Sequence, residues 1–177
     1  MTGLLDELSR MTAQSRLTGQ TLTRAALERV VTHVASNPDL WEPHIDRAST
    51  QRMYASLHRD ADVDVWVIFW RAGNDTGWHD HDTSSGAVRV VEGALAEFEL
   101  RLGASERRHE YGEEDCFSFD PSHIHRLVCE TGCAVSIHAY SAPLWRLGQY
   151  TVDGEGALHR MSVTYADELR PLELTAP

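Results

Sequence analysis

The chain has 177 residues, with 16 Lys or Arg against 27 Asp or Glu, so its formal net charge at neutral pH is −11. One domain accommodates this length, and the negative charge argues against nucleic acid and anionic membranes as partners. No apolar run approaches the roughly 20 residues of a membrane span, and the acidic start "MTGLLDELSR" is unlike a secretory signal, so we expect a cytoplasmic monomer or small homo-oligomer that acts on small molecules.

Residues 1–40 are predicted to form a helical segment. Apolar residues recur at helical spacing in two stretches. The first stretch contains Leu4, Leu5, Leu8 and Met11, and the second places on one face Ala26, Leu27, Val30, Val31 and Val34. Thr21 or Thr23 is suited to cap the second helix, and Asn37 with Pro38 is suited to end it.

From about residue 63 the apolar residues alternate with a period of two, which is typical of β-strands. The candidate strands are "VDVWVIFW", "AVRVVEG", "ALAEFELRL", "DCFSFD", "HRLVCE" and "CAVSIHAYS". The stretch "GQYTVDGEGALHRMSVTY" predicts a final hairpin with "DGEG" as its turn. Because no helical pattern lies between these strands, we predict an all-β antiparallel sandwich or barrel over residues 41–177, with the segment 1–40 packed on it.

The strand region contains four histidines that are candidate functional residues. His79 and His81 lie one residue apart in "WHDHDTSSG", so on a strand both side chains point to the same side. His125 begins an apolar strand in "DPSHIHRL", and His138 lies within "AVSIHAYS". Neutral imidazoles suit Fe, Zn, Ni and Cu, and three of them facing into a barrel leave coordination positions open for a substrate and O₂.

The stretch "GNDTGWHDHDTSSGAVRVVEG" resembles the first sequence motif of the cupins. Its spacing is Gly73, five residues, His79-x-His81, four residues, Gly86, six residues and Gly93. Gly86 occupies the position at which most cupins have a glutamate. The missing glutamate predicts a site made of histidines alone, with no anionic ligand.

With "HRL" around His125 and "SIHAYSAPL" further on, the chain resembles the cysteine dioxygenase type I family of thiol dioxygenases, from about Asp39 to about Leu144. The resemblance implies the RmlC-like cupin fold, a double-stranded β-helix or jelly-roll barrel. It also implies that O₂ and a small thiol are the substrates and a sulfinate is the product. Animal members carry a cysteine at the position of Gly86 that crosslinks to a tyrosine, whereas bacterial members commonly carry glycine. The chain therefore resembles the bacterial branch, and no such crosslink is expected.

The resemblance also implies the residues of the site. The ligands of a mononuclear Fe(II) would be His79, His81 and His125. The catalytic row would be Ser136, His138 and Tyr140, whose tyrosine hydroxyl would reach the bound thiol and O₂. The substrate-binding candidates are Tyr54, Ser56 and Gly86. Independently of the resemblance, a neutral set of three histidines leaves the charge of Fe(II) available to an anionic thiolate.

Position 56 departs from the family pattern. Members that oxidise cysteine carry a Tyr-x-Arg element whose arginine binds the substrate carboxylate, but in "RMYASL" Tyr54 is followed by Ser56. Serine cannot supply a planar, charged, bidentate contact. Either another basic residue takes this role or the substrate is a thiol other than cysteine. The candidate basic residues are Arg52, Arg59, Arg71 and Arg126.

Three further polar residues lie close to the candidate ligands. Asp80 and Asp82 alternate out of phase with the histidines, so they are expected to face away from the metal. His123 stands where the second cupin motif normally has glycine, and at a turn we expect it to be a surface histidine.

Two other functions stay open at this stage. One is a cupin metalloenzyme that uses Zn, Ni or Mn on a non-thiol substrate, as an isomerase, hydrolase or other oxygenase. The other is a cupin that senses a metal or ligand without turnover. The row that ends in Tyr140 favours thiol dioxygenation over both, because a sensor has no evident need for an oriented phenol beside its metal.

Overall fold

A computed structural model describes residue 10, residues 21–101 and residues 103–164. The helical stretch expected around Leu4 to Met11 therefore lies outside the described residues, apart from Arg10. Within the described part of the chain, no helix has the length and apolar character needed to cross a membrane.

Helix α1, Arg24–Ala35, is the second predicted helix. The Thr23 side chain caps it by accepting a hydrogen bond from the backbone N–H of Ala26 at 3.2 Å. Its buried residues are the five predicted from the spacing: Ala26, Leu27, Val30, Val31 and Val34. Two short 3-10 turns, Pro38–Leu40 and Glu42–His44, then lead into the first strand.

Eleven strands are found in the described residues. They are β1 Met53–Arg59, β2 Asp64–Arg71, β3 Trp78–Asp80, β4 Ser85–Glu92, β5 Leu95–Glu99, β6 Arg107–Tyr111, β7 Cys116–Phe119, β8 His125–Val128, β9 Cys133–Ser141, β10 Arg146–Val152 and β11 Leu158–Thr164. They form a five-stranded sheet in the order β1-β2-β9-β4-β7 and a six-stranded sheet in the order β11-β10-β3-β8-β5-β6. Every neighbouring pair is antiparallel, as predicted.

Alternation along β2 and β9 separates two apolar clusters. Val65, Val67 and Phe69 on β2 pack with the buried face of α1, together with Val135 and Ile137 on β9. The residues between them point the other way, toward the six-stranded sheet, because successive side chains of a strand face opposite sides. This inward set contains Trp66, Ile68 and Trp70 on β2 and Ser136, His138 and Tyr140 on β9. Both faces of β2 are thus covered, which explains its unbroken apolar run.

The structure adds strands that the alternation alone does not reveal. β1 and β6 carry mixed polar residues and lie at the edges of the two sheets, where one side of a strand stays in solvent. The predicted final hairpin is present as β10 and β11, and its turn is closed by a hydrogen bond from the Gly156 N–H to the Asp153 carbonyl at 3.0 Å.

Candidate metal centre

Three histidines converge on the inner face of the six-stranded sheet. His79 lies on β3 and is the cross-strand neighbour of His125 at the start of β8, and His81 follows directly after β3. Each offers a ring nitrogen, and these atoms all lie within 4.8 Å of one another. All three residues are buried. The structure therefore brings together the three residues that the sequence predicts as ligands.

The chemistry of this donor set fits a transition metal. Burial lowers the pKa of His81 well below its usual value and lowers that of His125 to about 3, so both rings are neutral at physiological pH. Nδ1 of His81 and Nε2 of His125 are buried and have no hydrogen-bond partner among the described residues. Buried ring nitrogens are costly when unsatisfied, and a bound cation would satisfy them. The histidines thus fit a divalent metal of the Fe or Zn kind.

A hydrogen-bonded chain runs along the facing strand β9 and includes a residue absent from the prediction. The indole N–H of Trp70 donates to Ser136 Oγ at 2.8 Å. Ser136 Oγ lies 2.7 Å from His138 Nε2, and His138 Nδ1 lies 3.1 Å from the Tyr140 hydroxyl oxygen. Alternation in the sequence predicts that Ser136, His138 and Tyr140 share one face of β9. Trp70 joins these residues only because β2 pairs with β9.

The order of donors and acceptors in this hydrogen-bonded row fixes which atom carries each proton. Trp70 can only donate, so Ser136 accepts from it and donates its own proton to His138 Nε2. Burial lowers the pKa of His138 to about 3, so its neutral ring carries the proton on Nδ1 and donates it to the Tyr140 oxygen. The hydroxyl hydrogen of Tyr140 therefore points away from His138.

Aromatic rings hold His81 in place. Its ring stacks on Tyr140 at a centroid distance of 5.2 Å and on Phe119 at 4.6 Å, each with an interplanar angle of 27°. Phe119 also lies 4.9 Å from the His125 ring. Gly86 is the cross-strand neighbour of Phe119, and a Cβ at Gly86 would lie 2.3 Å from Phe119 Cζ. Glycine at position 86 therefore makes room for the ring that packs on two of the candidate ligands.

Glu97 is a site residue that sequence reasoning misses. It lies on β5 and is buried, with Oε1 2.7 Å from His125 Nδ1 and 2.9 Å from His123 Nε2. Burial alone would raise the pKa of Glu97, but the hydrogen bonds from His123 and His125 outweigh it and hold the pKa at about 2. His123 is only partly exposed and contacts this carboxylate, so it is not the surface histidine expected at this turn. The sequence gives no signal for Glu97, because alternation alone does not show which face of "ALAEFEL" is covered.

The side chain of Asp80 faces away from those of His79 and His81, as its position between them in the sequence predicts. Its contacts fix this part of the chain. Its carboxylate accepts hydrogen bonds from Arg160 at 2.7 and 2.9 Å, from the Tyr150 hydroxyl at 2.5 Å and from the Gly148 N–H at 3.0 Å. These partners lower the pKa of Asp80 even though burial opposes the shift. The His-x-His element is thus fixed by the C-terminal hairpin.

A cavity of about 80 Å³ opens beside the three histidines. Its wall is mainly apolar and aromatic, with contributions from Trp66, Ile68, Trp70, Val88, Phe119, Leu127, Leu144 and Leu147. Its polar lining consists of Arg52, Tyr54, Thr76, His138 and Tyr140 with the three histidines. This volume is suited to a compact small molecule.

Two of the three predicted substrate-binding residues do not reach this cavity. Tyr54 lines it, but Ser56 and Gly86 do not. Ser56 is exposed on the edge strand β1, next to a bulge between Ser56 and His58. The inner side of Gly86 is covered by Phe119. Of the arginines named as alternatives to position 56, Arg52 lines the cavity.

The two antiparallel sheets with their buried histidine cluster define a cupin. Among solved structures, the chain is similar to oxalate oxidase in complex with the substrate analogue glycolate, with a TM-score of 0.50 and 11% identity over 59% of each chain. A cupin superfamily protein from Desulfitobacterium hafniense DCB-2 matches with a TM-score of 0.49 and 11% identity, covering 58% of this chain and 87% of that one. KdgF from Halomonas sp. matches with a TM-score of 0.46 and 17% identity, covering 58% and 91%.

The sequence then narrows this class to one family. The family model "Cysteine dioxygenase type I" matches residues 15–152, so the chain belongs to that family. No curated protein sequence matches the chain significantly. Family membership confirms the resemblance drawn from the histidine spacing and implies a metal-dependent dioxygenase.

Proposed function

We propose that this protein is an Fe(II)-dependent thiol dioxygenase that converts a small thiol into a sulfinate, with His79, His81 and His125 as the metal ligands. The observation that carries the proposal is the buried cluster of neutral histidines opposite an oriented tyrosine, in a chain of the cysteine dioxygenase type I family. In the reaction both atoms of O₂ become bonded to the sulfur. The sulfur is oxidised and O₂ is reduced, so no further oxidant or reductant is required.

The ligand set suits this chemistry through its charge. Bound Fe(II), held by the three histidines, would supply open coordination positions for a thiolate and for O₂. Because the three imidazoles are neutral, they leave the attraction between the metal and an anionic thiolate undiminished. The apolar wall of the cavity excludes water from the metal and the thiolate.

Tyr140 has the role of a hydrogen-bond donor to the reacting sulfur and oxygen atoms. Trp70, Ser136 and His138 fix the proton order, so the Tyr140 hydroxyl donates toward the cavity rather than toward His138. A donor fixed in advance stabilises charge that develops on oxygen without a cost of reorientation.

Arg52 is proposed to bind a carboxylate of the substrate. It lines the cavity and lies with its guanidinium 5.5 Å from the centre of the Trp70 ring. Arg59, Arg71 and Arg126 do not line the cavity. Arg59 binds Asp64 and the Leu144 carbonyl, Arg71 binds the backbone of Arg47 and Ser49, and Arg126 binds Asp75.

The charge of the cavity wall favours a substrate with a carboxylate and no ammonium group. Arg52 offers a partner for an anion, whereas the described residues that line the cavity include no Asp or Glu to pair with an α-ammonium. We therefore expect 3-mercaptopropionate to be a better substrate than cysteine, with cysteamine and homocysteine also weaker.

The test is a metal assay joined to an oxygen-electrode screen of these four thiols. Protein loaded with Fe(II) under argon should consume O₂ on addition of a thiol, with a sulfinate as product and the highest kcat/KM for 3-mercaptopropionate. The matched control is His109→Ala, which removes a histidine of strand β6 outside the cluster and should leave turnover intact, while His125→Ala should abolish it. Tight Zn or Ni in the purified protein, with no O₂ uptake from any thiol, would overturn the proposal.

A further inference from the structure

We propose that Glu97 is a positioning residue for the metal centre, whose carboxylate holds His125 in one tautomer and one orientation, and that His123 in turn fixes that carboxylate. This inference rests on the proposed role of His125 as a metal ligand. It adds an anion to a site whose direct ligands are all neutral.

The hydrogen bond to His125 decides which nitrogen faces the metal. An ionised carboxylate can only accept, so Glu97 Oε1 at 2.7 Å requires that His125 Nδ1 carry the proton. Nε2 then keeps its lone pair, and Nε2 is the His125 nitrogen that is buried without a hydrogen-bond partner among the described residues. Glu97 therefore selects the tautomer in which His125 can act as a ligand through Nε2.

The carboxylate is itself held at three points. His123 Nε2 lies 2.9 Å from the same oxygen, Oε1, and the Tyr111 hydroxyl lies 3.3 Å from Oε2. The His123 ring also stacks on Phe119 at 5.5 Å with an interplanar angle of 17°. Glu97 does not line the cavity, so these contacts serve the ligand and not a substrate.

His123 separates Glu97 from solvent. The side chain of His123 is 20% exposed, whereas that of Glu97 is 4% exposed. A glycine at position 123, as in the second cupin motif, would remove the hydrogen bond between His123 and Glu97 Oε1 and would open a path for water to the carboxylate. The His123–Glu97–His125 row is therefore a property of this chain and not of the cupin motif.

The same three side chains could in principle hold a second cation, because their ligand atoms also lie within 4.8 Å of one another. The distances of 2.7 and 2.9 Å from one carboxylate oxygen to two ring nitrogens are those of hydrogen bonds. A cation among them would have to displace both protons. We assign the row as hydrogen-bonded, and the metal stoichiometry tests this assignment.

An anion hydrogen-bonded to a ligand histidine raises the basicity of the ring, which strengthens metal binding and favours the more highly charged state of a redox metal. Removing such a partner typically weakens metal affinity by about 10- to 100-fold. The substitution Glu97→Gln keeps the size of the side chain and an acceptor oxygen but removes the charge.

The experiment measures metal affinity in the full chain without thiol or O₂. Zn(II) and Co(II) are titrated against a competing chelator, and the Fe(III)/Fe(II) midpoint potential is measured under argon. Glu97→Gln should bind one equivalent of metal about 10- to 100-fold more weakly and have a higher midpoint potential. The matched control is Glu106→Gln, at an exposed position just before strand β6, which makes the same change of charge and should leave both values unchanged.

Three results would overturn the proposal. They are wild-type affinity and potential in Glu97→Gln, an equal change in Glu106→Gln, and two equivalents of metal in the wild type of which one is lost in Glu97→Gln. If Glu97→Gln does not fold, His123→Leu gives the decision, because it leaves Glu97 and His125 in place. The substitution His123→Leu should weaken metal binding by a smaller factor than loss of the Glu97 charge. Unchanged metal affinity in His123→Leu would contradict the proposed His123–Glu97–His125 row. Since no turnover is measured, these results stand apart from whether the protein oxidises thiols.

Discussion

The substitution Gly86→Ala tests the packing that connects strand β4 to the histidine cluster. The added methyl carbon would lie 2.3 Å from Phe119 Cζ and 2.5 Å from Cε2. Carbon atoms in contact are normally about 3.5–4.0 Å apart, so the ring must retreat by more than about 1 Å. Phe119 cannot retreat freely because it is 2% exposed and stacks on His81.

The expected cost is that of an overpacked core, about 1–3 kcal/mol. For a chain of this size, each kcal/mol lowers the melting temperature by about 2–4 °C, so the total decrease is about 2–12 °C. Because the displaced ring contacts two candidate ligands, metal affinity should fall as well. Thermal unfolding and Zn(II) titration measure the two effects.

A double variant and a distant glycine make this test specific. Phe119→Leu shortens the ring side chain, so Gly86→Ala should be far less harmful in the Phe119→Leu background than in the wild type. Gly154→Ala adds a methyl group where no atom lies within 4 Å and should leave stability nearly unchanged. A melting temperature and metal affinity in Gly86→Ala equal to those of the wild type would refute the packing argument.

Three further predictions concern turnover and pH. Tyr140→Phe should keep its metal and lose about a hundredfold in kcat, since it removes a preorganised donor; equal kcat in an oxygen-electrode assay would contradict the proposed role. Arg52→Gln should raise KM for 3-mercaptopropionate by about tenfold or more, the value of a charged hydrogen bond, and leave KM for cysteamine unchanged. A parallel rise for both thiols would place Arg52 outside carboxylate recognition. The metal-free protein should lose stability as the pH falls below about 6.5, because the unfolded chain protonates His125 and His138 there whereas burial lowers their folded pKa values to about 3. Urea unfolding between about pH 5 and pH 7 measures this slope, and a flat profile would show that these imidazoles are not neutral in the fold.

Helix α1 and the central strands could be predicted from the sequence because each has one regular period. The five apolar residues of α1 recur at helical spacing on one face, and β2 and β9 carry long runs of β-forming residues. Strands β1 and β6 could not be found this way. Neither strand has a fully buried residue, so neither shows the run or alternation of strongly apolar residues by which the other strands are recognised.

The candidate ligand histidines could be predicted for a different reason, namely that two of them share one short motif. Glu97 and Trp70 were not, because each acts through a neighbour that is distant in the chain. In "ALAEFEL" a glutamate between apolar residues looks like the solvent side of a strand. Only the three-dimensional structure shows that Glu97 lies on the covered side, with its carboxylate 2.7 Å from His125 Nδ1. Arg52 was one of several candidates, and the choice among them depends on which arginine reaches the cavity.

The hydrogen bonds of Asp80 connect parts of the chain that are synthesised at different times. The residues that bind its carboxylate, Gly148, Tyr150 and Arg160, are synthesised 68 to 80 positions after it. A nascent chain that has reached His125 already contains every candidate ligand. Asp80, which lies between His79 and His81, still lacks its hydrogen-bond partners at that point. The candidate metal centre therefore becomes rigid only after the β10–β11 hairpin has left the ribosome, so a chain truncated after Leu144 should bind metal weakly and release it to chelators.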